Sequence, residues 1–212
     1  MTDRSDIRFL PVLNESGGRT GVRMTETEVH RQHLWHACVN VCVTDSKGYI
    51  YQQYRGYTTR IFPGKFDMFL ASDHIVEDDD VPVMAVARAL AWRVGVQLPT
   101  AVLESLQPVL KTKSMYWVAD PSYAADKHGN HGYFHYAFEY IYVVRLDGLG
   151  HEIPLRYQGG RVLGVRRYSL ARMLEDYQSP HISEEYRQYA HRTPHENQML
   201  EAIYNEVVRL TR

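Results

Sequence analysis

The feature that most constrains the fold is the segment from Ser72 to Val96, in which an acidic loop runs into an amphipathic helix. The acidic residues Glu77 to Asp80 precede Pro82, an order typical of a helix N-terminus. Aliphatic side chains then recur every three or four residues, which places them on one helical face: Val83, Val86, Ala87, Leu90 and Val94. Gly95 supplies the expected C-terminal stop. The segment predicts a helix that packs this apolar stripe against a core.

Alternating apolar segments on both sides of this helix predict strands. The expected strands cover residues 7–13, 21–24, 36–44, 49–54, 66–71, 103–110, 115–119, 134–146 and 161–168. Further helices are expected at 25–33, 170–176, 182–189 and 197–210. In the first of these, Thr25 is the predicted N-cap and Glu28 completes a capping box. The fold class that follows is α+β (mixed α/β), with a mixed sheet between helices.

The length of 212 residues predicts one domain spanning 1–212. Its core is expected at about 30–176. An N-terminal hairpin and helix, 7–33, precede this core, and a C-terminal helical extension, 177–212, follows it.

The composition is that of a soluble globular protein, with 44% hydrophobic residues, 23% charged residues and a net charge of −1. This balance excludes an overall basic nucleic-acid binder. No apolar run approaches the roughly 20 residues of a membrane-spanning helix, so no membrane partner is expected. Cys38 and Cys42 lie four apart in an alternating run, which favours one strand face over a disulfide. We therefore expect an intracellular setting, with the cytoplasm favoured and an organelle left open.

The segment 72–96 resembles the Nudix box, whose pattern is G-x5-E-x7-R-E-U-x-E-E-x-G-U with U aliphatic. Placing Arg88 on the motif arginine puts Leu90, Gly95 and Val96 on the aliphatic, glycine and closing aliphatic positions. The resemblance implies a Nudix-like α/β/α sandwich, a mixed sheet between helices with an N-terminal hairpin and a C-terminal helix.

Motifs outside the box resemble the branch of the Nudix superfamily that includes isopentenyl-diphosphate isomerases. They are E-V-H-R-x-x-L-W-H at 28–36, S-K-G at 46–48, F-P-G-x-F at 62–66 and I-Y-V-V-R-L-D-G at 141–148. In this branch His30 and His36 match positions associated with metal binding. The positions of the catalytic cysteine and glutamate fall on Ala71 and Ala137.

The same alignment places the metal-binding glutamates of the box on Ala89, Trp92 and Arg93. Mg²⁺ and Mn²⁺ need several oxygen ligands. Two unit charges about 4 Å apart at an effective dielectric near 20 repel by about 4 kcal/mol, and a divalent ion roughly doubles that. We therefore expect a degenerate active site, a pseudoenzyme that has lost the usual Mg²⁺-dependent diphosphate hydrolysis. It would act as a phosphate- or nucleotide-binding or interaction module, with no metal in the usual site.

The alternative is a divergent Nudix hydrolase or isomerase-like enzyme with rearranged metal ligands and Mg²⁺ or Mn²⁺ as cofactor. Its candidate catalytic residues are Glu77, Asp80 and Glu139, and its candidate metal ligands are His30, His36 and Asp80. Counting back from Arg88 without gaps puts Asp80 on the early acid of the motif. Anchoring on residues 62–64 implies a longer loop, so the register stays open. A solvated acidic helix start is the commoner structural meaning of such a run.

Basic residues are expected around the former catalytic cleft, at Arg55, Arg60, Lys65, Arg88 and Arg93. Guanidinium groups bind phosphate through fork-shaped contacts, without a metal. The predicted partner is therefore a phosphate-containing small molecule or a protein, and a nucleic acid is the less favoured alternative. Oligomeric state is left open.

Two spaced sets of histidines offer a weaker metal signal: His30, His33 and His36, and His128, His131 and His135. Imidazoles at such spacing can bind Zn²⁺ or Mn²⁺. Without a Cys-x-x-Cys pair beside them, solvated or hydrogen-bonded side chains are the default expectation.

Overall fold

The computed structural model describes residues 7–59, 62–79, 81–123, 125, 129–148, 155–157, 160–178 and 196–212. The strands are β1 (Phe9–Leu13), β2 (Arg19–Thr25), β3 (His36–Thr44), β4 (Tyr49–Arg55), β5 (Phe66–Asp67), β6 (Ala71–His74), β7 (Leu110–Ala119), β8 (Gly132–Arg145) and β9 (Val162–Ser169). The helices are α1 (Glu26–Arg31), α2 (Pro82–Val94), α3 (Thr100–Ser105), α4 (Leu170–Gln178) and α5 (Glu196–Thr211). No helix in these ranges is long and apolar enough to cross a membrane.

A mixed sheet organises most of the strands. Its order is β5-β4-β3-β8-β7, with β6 paired to β3 and β9 paired to β4. β3 and β8 run parallel, whereas the other pairs in the sheet are antiparallel. Every residue of β3 is buried, as expected for a strand covered on both faces. β1 and β2 form a separate antiparallel hairpin.

Helices cover both faces of this sheet. α2 packs its predicted stripe against β3 through Val86, Leu90 and Val94, with Val39 and Val41 on the strand side. The opposite face is closed by α4 and α5, in a second cluster that contains Cys42, Ile141, Met173, Leu200 and Ile203. The predicted mixed α/β class, with a sheet between helices, is confirmed.

The capping box that begins α1 is also confirmed. The Thr25 hydroxyl accepts a hydrogen bond from the Glu28 amide at 3.3 Å, and the Glu28 carboxylate accepts one from the Thr25 amide at 3.1 Å. The Thr25 hydroxyl also donates to the Glu28 carboxylate at 2.8 Å, and this bond, together with the one from the Thr25 amide, lowers the pKa of Glu28. Because they fix the first turn of α1, they also fix where His30 points from that helix.

Two predicted strands differ in the structure. Residues 103–110 were expected to be extended, but α3 occupies Thr100–Ser105 and β7 begins only at Leu110. α3 follows Pro99 and buries none of its residues, so its apolar residues gave a misleading strand signal. The expected strand 66–71 is split between β5 and β6, because the Asp67 carboxylate accepts a hydrogen bond from the Phe69 amide and turns the chain.

The acidic residues before α2 were expected to stabilise the N-terminus of the helix, but the structure gives Asp79 a different role. The helix has Pro82 in its first turn, as predicted, but no acidic residue lies in that turn. Instead, Asp79 accepts hydrogen bonds from the Val76 amide and from Arg88. The segment 182–189, predicted to be helical, lies outside the described residues.

We predict that Gly95→Ala destabilises the protein by about 1–2 kcal/mol, since Gly95 caps α2 with a left-handed φ of +74°. An added Cβ would also lie 2.9 Å from the Cβ of Arg156. Chemical denaturation monitored by circular dichroism measures the change.

Gly164→Ala is the matched control, because its Cβ meets no atom within 4 Å and its φ is not left-handed. We expect that variant to stay within about 0.5 kcal/mol of the parent. Equal stabilities for the two variants would contradict this account of the cap.

Candidate functional site

A cavity of about 610 Å³ lies between α1, the end of α2 and the strands β3, β6 and β8. The alternation of side chains along each strand decides what lines it. His36, Cys38 and Asn40 project from one face of β3, and His135 and Glu139 project from the same face of β8. The cavity therefore has a polar wall drawn from strands far apart in sequence.

The pairing register sets these side chains side by side. On β3, Cys38 is opposite Glu139 of β8 and opposite His74 of β6. His36 is opposite Ala137, and His135 lies two residues before Ala137 on the same face of β8. Strand neighbours lie about 5 Å apart, so the wall is a compact patch of nitrogen, sulfur and oxygen atoms.

Four histidines converge at one end of the cavity: His30 from α1, His36 from β3, His74 from β6 and His135 from β8. One ring nitrogen of each lies within 4.8 Å of one from every other. Ring centroids are 5.1 Å apart for His30 and His36, and 4.8 Å apart for His36 and His135. All but His74 are fully buried.

His36 shows how such a ring is oriented. Its Nδ1 lies 3.1 Å from the Leu34 carbonyl oxygen, which only accepts, so Nδ1 carries the proton. The lone pair is therefore on Nε2, which is buried and has no hydrogen-bond partner among the described residues. Burial lowers the pKa of His36 to about 4, and burial together with His36 lowers that of His74 well below its usual value. Both rings are neutral at physiological pH.

The four imidazoles fit a transition-metal ion. Neutral nitrogen donors suit Zn²⁺ and similar ions, and backbone carbonyls commonly fix the second ring nitrogen of such ligands, as Leu34 does for His36. A tetrahedral zinc site places its ligand nitrogens roughly 3.4 Å apart, so small ring rotations would close the cluster. The set is a poor match for Mg²⁺, which prefers oxygen.

Glu139 lies beside this cluster on a buried part of the wall. Its carboxylate accepts hydrogen bonds from the Ser114 hydroxyl at 2.6 Å and from the Asn40 amide at 3.3 Å. The facing Cys38 thiol has a pKa raised well above its usual value by burial and by Glu139. A protonated, buried thiol is a poor nucleophile, which agrees with the expectation that Cys38 packs as a small apolar residue.

The other end of the cavity is strongly basic. The guanidinium carbons of Arg8, Arg93 and Arg161 lie 6.0, 5.6 and 5.4 Å from the centre of the Trp92 ring. Trp92 is 36% exposed, and all four residues line the cavity. Trp92 and Arg93, which the sequence alignment predicts at box glutamate positions, thus place an indole and a guanidinium at this end.

Arg93 is the centre of this basic end. Burial and the charges of Arg161, Arg55 and Arg8 lower its pKa to about 10, although Asp73 raises it. Within the described ranges no ion pair involves the guanidinium of Arg93 or Arg161. A positive potential without a matching carboxylate is what an anion site requires.

Arg88, although predicted among the ligand-binding residues, is held in a structural network. Its guanidinium donates to Asp73 at 2.7 Å, to Asp79 at 2.6 Å and to the His74 carbonyl at 2.8 Å. It ties α2 to β6 and to the loop that follows β6. Ala89, predicted at the first box glutamate position, is buried in the core against β3.

The other predicted site residues lie in several places. Glu139 lines the cavity, as does Arg55, which is paired with Asp67 at 2.9 Å. Glu77 lines a smaller neighbouring cavity of about 320 Å³ and lies 3.8 Å from Arg19. The backbone of Lys65 bonds to that of Arg55, and its side chain is half-buried. Arg60 and Asp80 lie outside the described residues, so their roles stay predictions.

The two predicted histidine sets are divided by the fold. His30 and His36 join the cluster, while His33 is exposed and stacks on Tyr136. From the second set, His135 joins, His131 contacts the Tyr123 carbonyl oxygen at 2.7 Å, and His128 lies outside the described residues.

Sequence reasoning missed the roles of His74, Arg8 and Arg161. The sequence offered one signal for His74: it lies two residues after Ser72, so in a strand both side chains would project from the same face. No local pattern could identify Arg8 or Arg161, because the fold alone brings them to Trp92.

We predict that Arg88→Met destabilises the protein by about 2–4 kcal/mol, because it leaves the buried carboxylates of Asp73 and Asp79 without their shared cation. Urea denaturation measures the change. Arg209→Met is the control, since its pair with Glu206 is mostly exposed and contributes little. A parent-like midpoint for Arg88→Met would contradict the structural role of this network.

Comparison with known proteins adds the fold family. No family model and no curated protein match the sequence. DR0079 from Deinococcus radiodurans, 14% identical, aligns over 92% of this chain and 99% of its own with a TM-score of 0.59. A MutT protein from Methanosarcina mazei Go1, 11% identical, covers 81% and 94% with a TM-score of 0.51. A Nudix hydrolase from Alicyclobacillus acidocaldarius, 12% identical, covers 83% and 95% with a TM-score of 0.50. The chain has a Nudix-like fold.

Proposed function

We propose that this Nudix-fold chain binds a phosphate-containing small molecule in its cavity through guanidinium groups, and that it has lost metal-dependent hydrolysis at the Nudix box. The observation that carries the proposal is the position of Arg93. It occupies a glutamate position of the box, lines the cavity and has no carboxylate partner among the residues described.

The box helix itself supports the loss of hydrolysis. Ala89 offers no ligand and is buried, and Trp92 offers an indole. A divalent ion placed about 5 Å from the charge of Arg93 would meet a repulsion of roughly 7 kcal/mol at an effective dielectric near 20. The helix therefore keeps its packing against the sheet without its usual ligand chemistry.

The basic end of the cavity supports phosphate as the ligand. A guanidinium donates two parallel hydrogen bonds to the oxygens of one phosphate. The guanidiniums of Arg93 and Arg161 both lie close to the Trp92 ring, and the charge of Arg161 acts on Arg93, which supports a shared anionic group as the ligand of both. The volume of about 610 Å³ is in the range of small-molecule sites.

A second candidate function, a divergent metal-dependent enzyme, is favoured by the histidine cluster. His30, His36, His74 and His135 would hold the ion there, and a bound divalent ion would polarise a phosphoryl group or activate a water molecule. Glu139, beside the cluster, would accept a proton in this alternative. In this alternative the ligands come from the strands and α1, and the acidic loop takes no part.

We predict that inorganic pyrophosphate and ADP bind to the metal-free protein, as measured by isothermal titration calorimetry. Arg93→Gln and Arg161→Gln should each weaken binding about tenfold or more, because each removes a charge-assisted contact of about 1.5–3 kcal/mol. Arg209→Gln, an exposed change on α5, is the control and should bind like the parent. No heat with either compound, at concentrations up to the millimolar range, would overturn phosphate binding.

Hydrolysis is tested separately with nucleoside-diphosphate and isoprenoid-diphosphate compounds. With Mg²⁺ or Mn²⁺ we expect no turnover above the enzyme-free rate. Robust turnover that disappears with EDTA would contradict the proposal. Two variants then separate the metal sites: loss of that turnover in His36→Ala would support the histidine centre, and loss in Glu77→Gln would support the acidic loop.

A further inference from the structure

The histidine end and the basic end of the cavity differ in their charged groups, although the charges of Arg8 and Arg93 also help to lower the pKa of His74. Near the histidines lie two carboxylates, Glu139 on β8 and Glu26 on α1, the latter 3.7 Å from the His74 ring nitrogen. Near Trp92 lie the guanidinium groups of Arg8, Arg93 and Arg161. A cation is favoured at the first end and an anion at the second.

Charge pairing at the basic end leaves a positive excess. Arg8 is paired with Asp73 at 2.6 Å, but Asp73 also accepts from Arg88. One carboxylate thus serves two guanidiniums, and Asp79 is occupied by Arg88 as well. Arg93 and Arg161 have no carboxylate of their own in the part of the chain described here.

The guanidinium groups at the basic end make cation–π contacts with Trp92. Guanidinium groups are attracted to the face of an indole, and three of them lie within about 6 Å of its centre. The indole carries no negative charge and so does not neutralise them. Two uncompensated charges fixed beside one ring match an anion that carries at least two negative charges.

The positive potential at the basic end decides whether the anion binds free or as a complex with Mg²⁺. A diphosphate complexed with Mg²⁺ offers oxygens that the ion already occupies, and it brings two positive charges towards Arg93. A free diphosphate offers all its oxygens to the guanidiniums. We propose that the basic end binds a phosphoryl or diphosphate group as the free anion, so that Mg²⁺ competes with the protein for the ligand. This inference rests on the proposed phosphate-binding function and reverses the metal dependence associated with Nudix hydrolases.

The experiment titrates the full chain with inorganic pyrophosphate in EDTA and at several millimolar Mg²⁺ concentrations. We expect the apparent affinity to follow the concentration of free pyrophosphate and to fall about tenfold or more once Mg²⁺ is in excess, which corresponds to about 1.4 kcal/mol. Inorganic sulfate, a dianion that Mg²⁺ complexes weakly, is the control ligand. Any heat from it should be unaffected by Mg²⁺ at constant ionic strength.

A charge reversal sharpens the test. Arg93→Glu restores a carboxylate at the box position, so we expect pyrophosphate binding in EDTA to disappear and Mg²⁺ to improve binding. Arg93→Gln, which removes the charge without reversing it, should bind pyrophosphate more weakly in EDTA and should not gain affinity when Mg²⁺ is added. Thermal melts of both variants check folding, and the neutral variant keeps the test usable if the reversed one does not fold.

The outcomes distinguish this inference from the function on which it rests. Absence of pyrophosphate binding under every condition overturns phosphate binding itself. Binding that is equal or tighter with Mg²⁺ than with EDTA in the parent keeps phosphate binding and overturns the free-anion inference.

Discussion

The parallel pairing of β3 with β8 is the constraint on which the site depends. Asn40 and Glu139 are 99 residues apart, yet their side chains are joined by a hydrogen bond across these strands. A slip of one residue in the register would send His135 and Glu139 to the face covered by α2. The unbroken pairing from His36 to Thr44 therefore fixes the composition of the cavity wall as well as the sheet.

The contacts that hold α2 against the sheet are separate from its cavity-facing residues. Its apolar stripe and its Arg88 network hold it against the sheet, and neither needs a metal. Trp92 and Arg93 lie at the end of the helix where it meets the cavity, so these two residues can change without loss of the fold.

Much of the fold could be predicted because its signals are local. The capping box of α1, the stripe and glycine stop of α2, and the hairpin of β1 and β2 each depend on residues within a few positions of one another. α3 was missed, because three apolar residues in six after Pro99 do not distinguish a short exposed helix from a strand. Asp67 interrupted the strand predicted at 66–71 through a bond that no periodicity reveals.

The candidate site was less predictable, because it is assembled by long-range contacts. His30 and His36 could be identified from the sequence, but their convergence with His74 and His135 requires α1, β6 and β8 to meet. The same holds for Arg161, which reaches Trp92 from the start of β9. Local patterns specify which side chains share a face, and only the topology specifies which faces meet.

The basic end of the cavity also has an energetic consequence. Guanidinium groups crowded together raise the free energy of the folded state, and the pKa of Arg93 is lowered first by burial and then by the charge of Arg161. A ligand that supplies negative charge there relieves the repulsion and binds only the folded chain, so it stabilises the fold by mass action. Arg88 shows the alternative solution within the same helix, because two carboxylates of the chain itself neutralise it. Arg88 is thus neutralised within the chain, whereas Arg93 lines the cavity and has no paired carboxylate among the described residues.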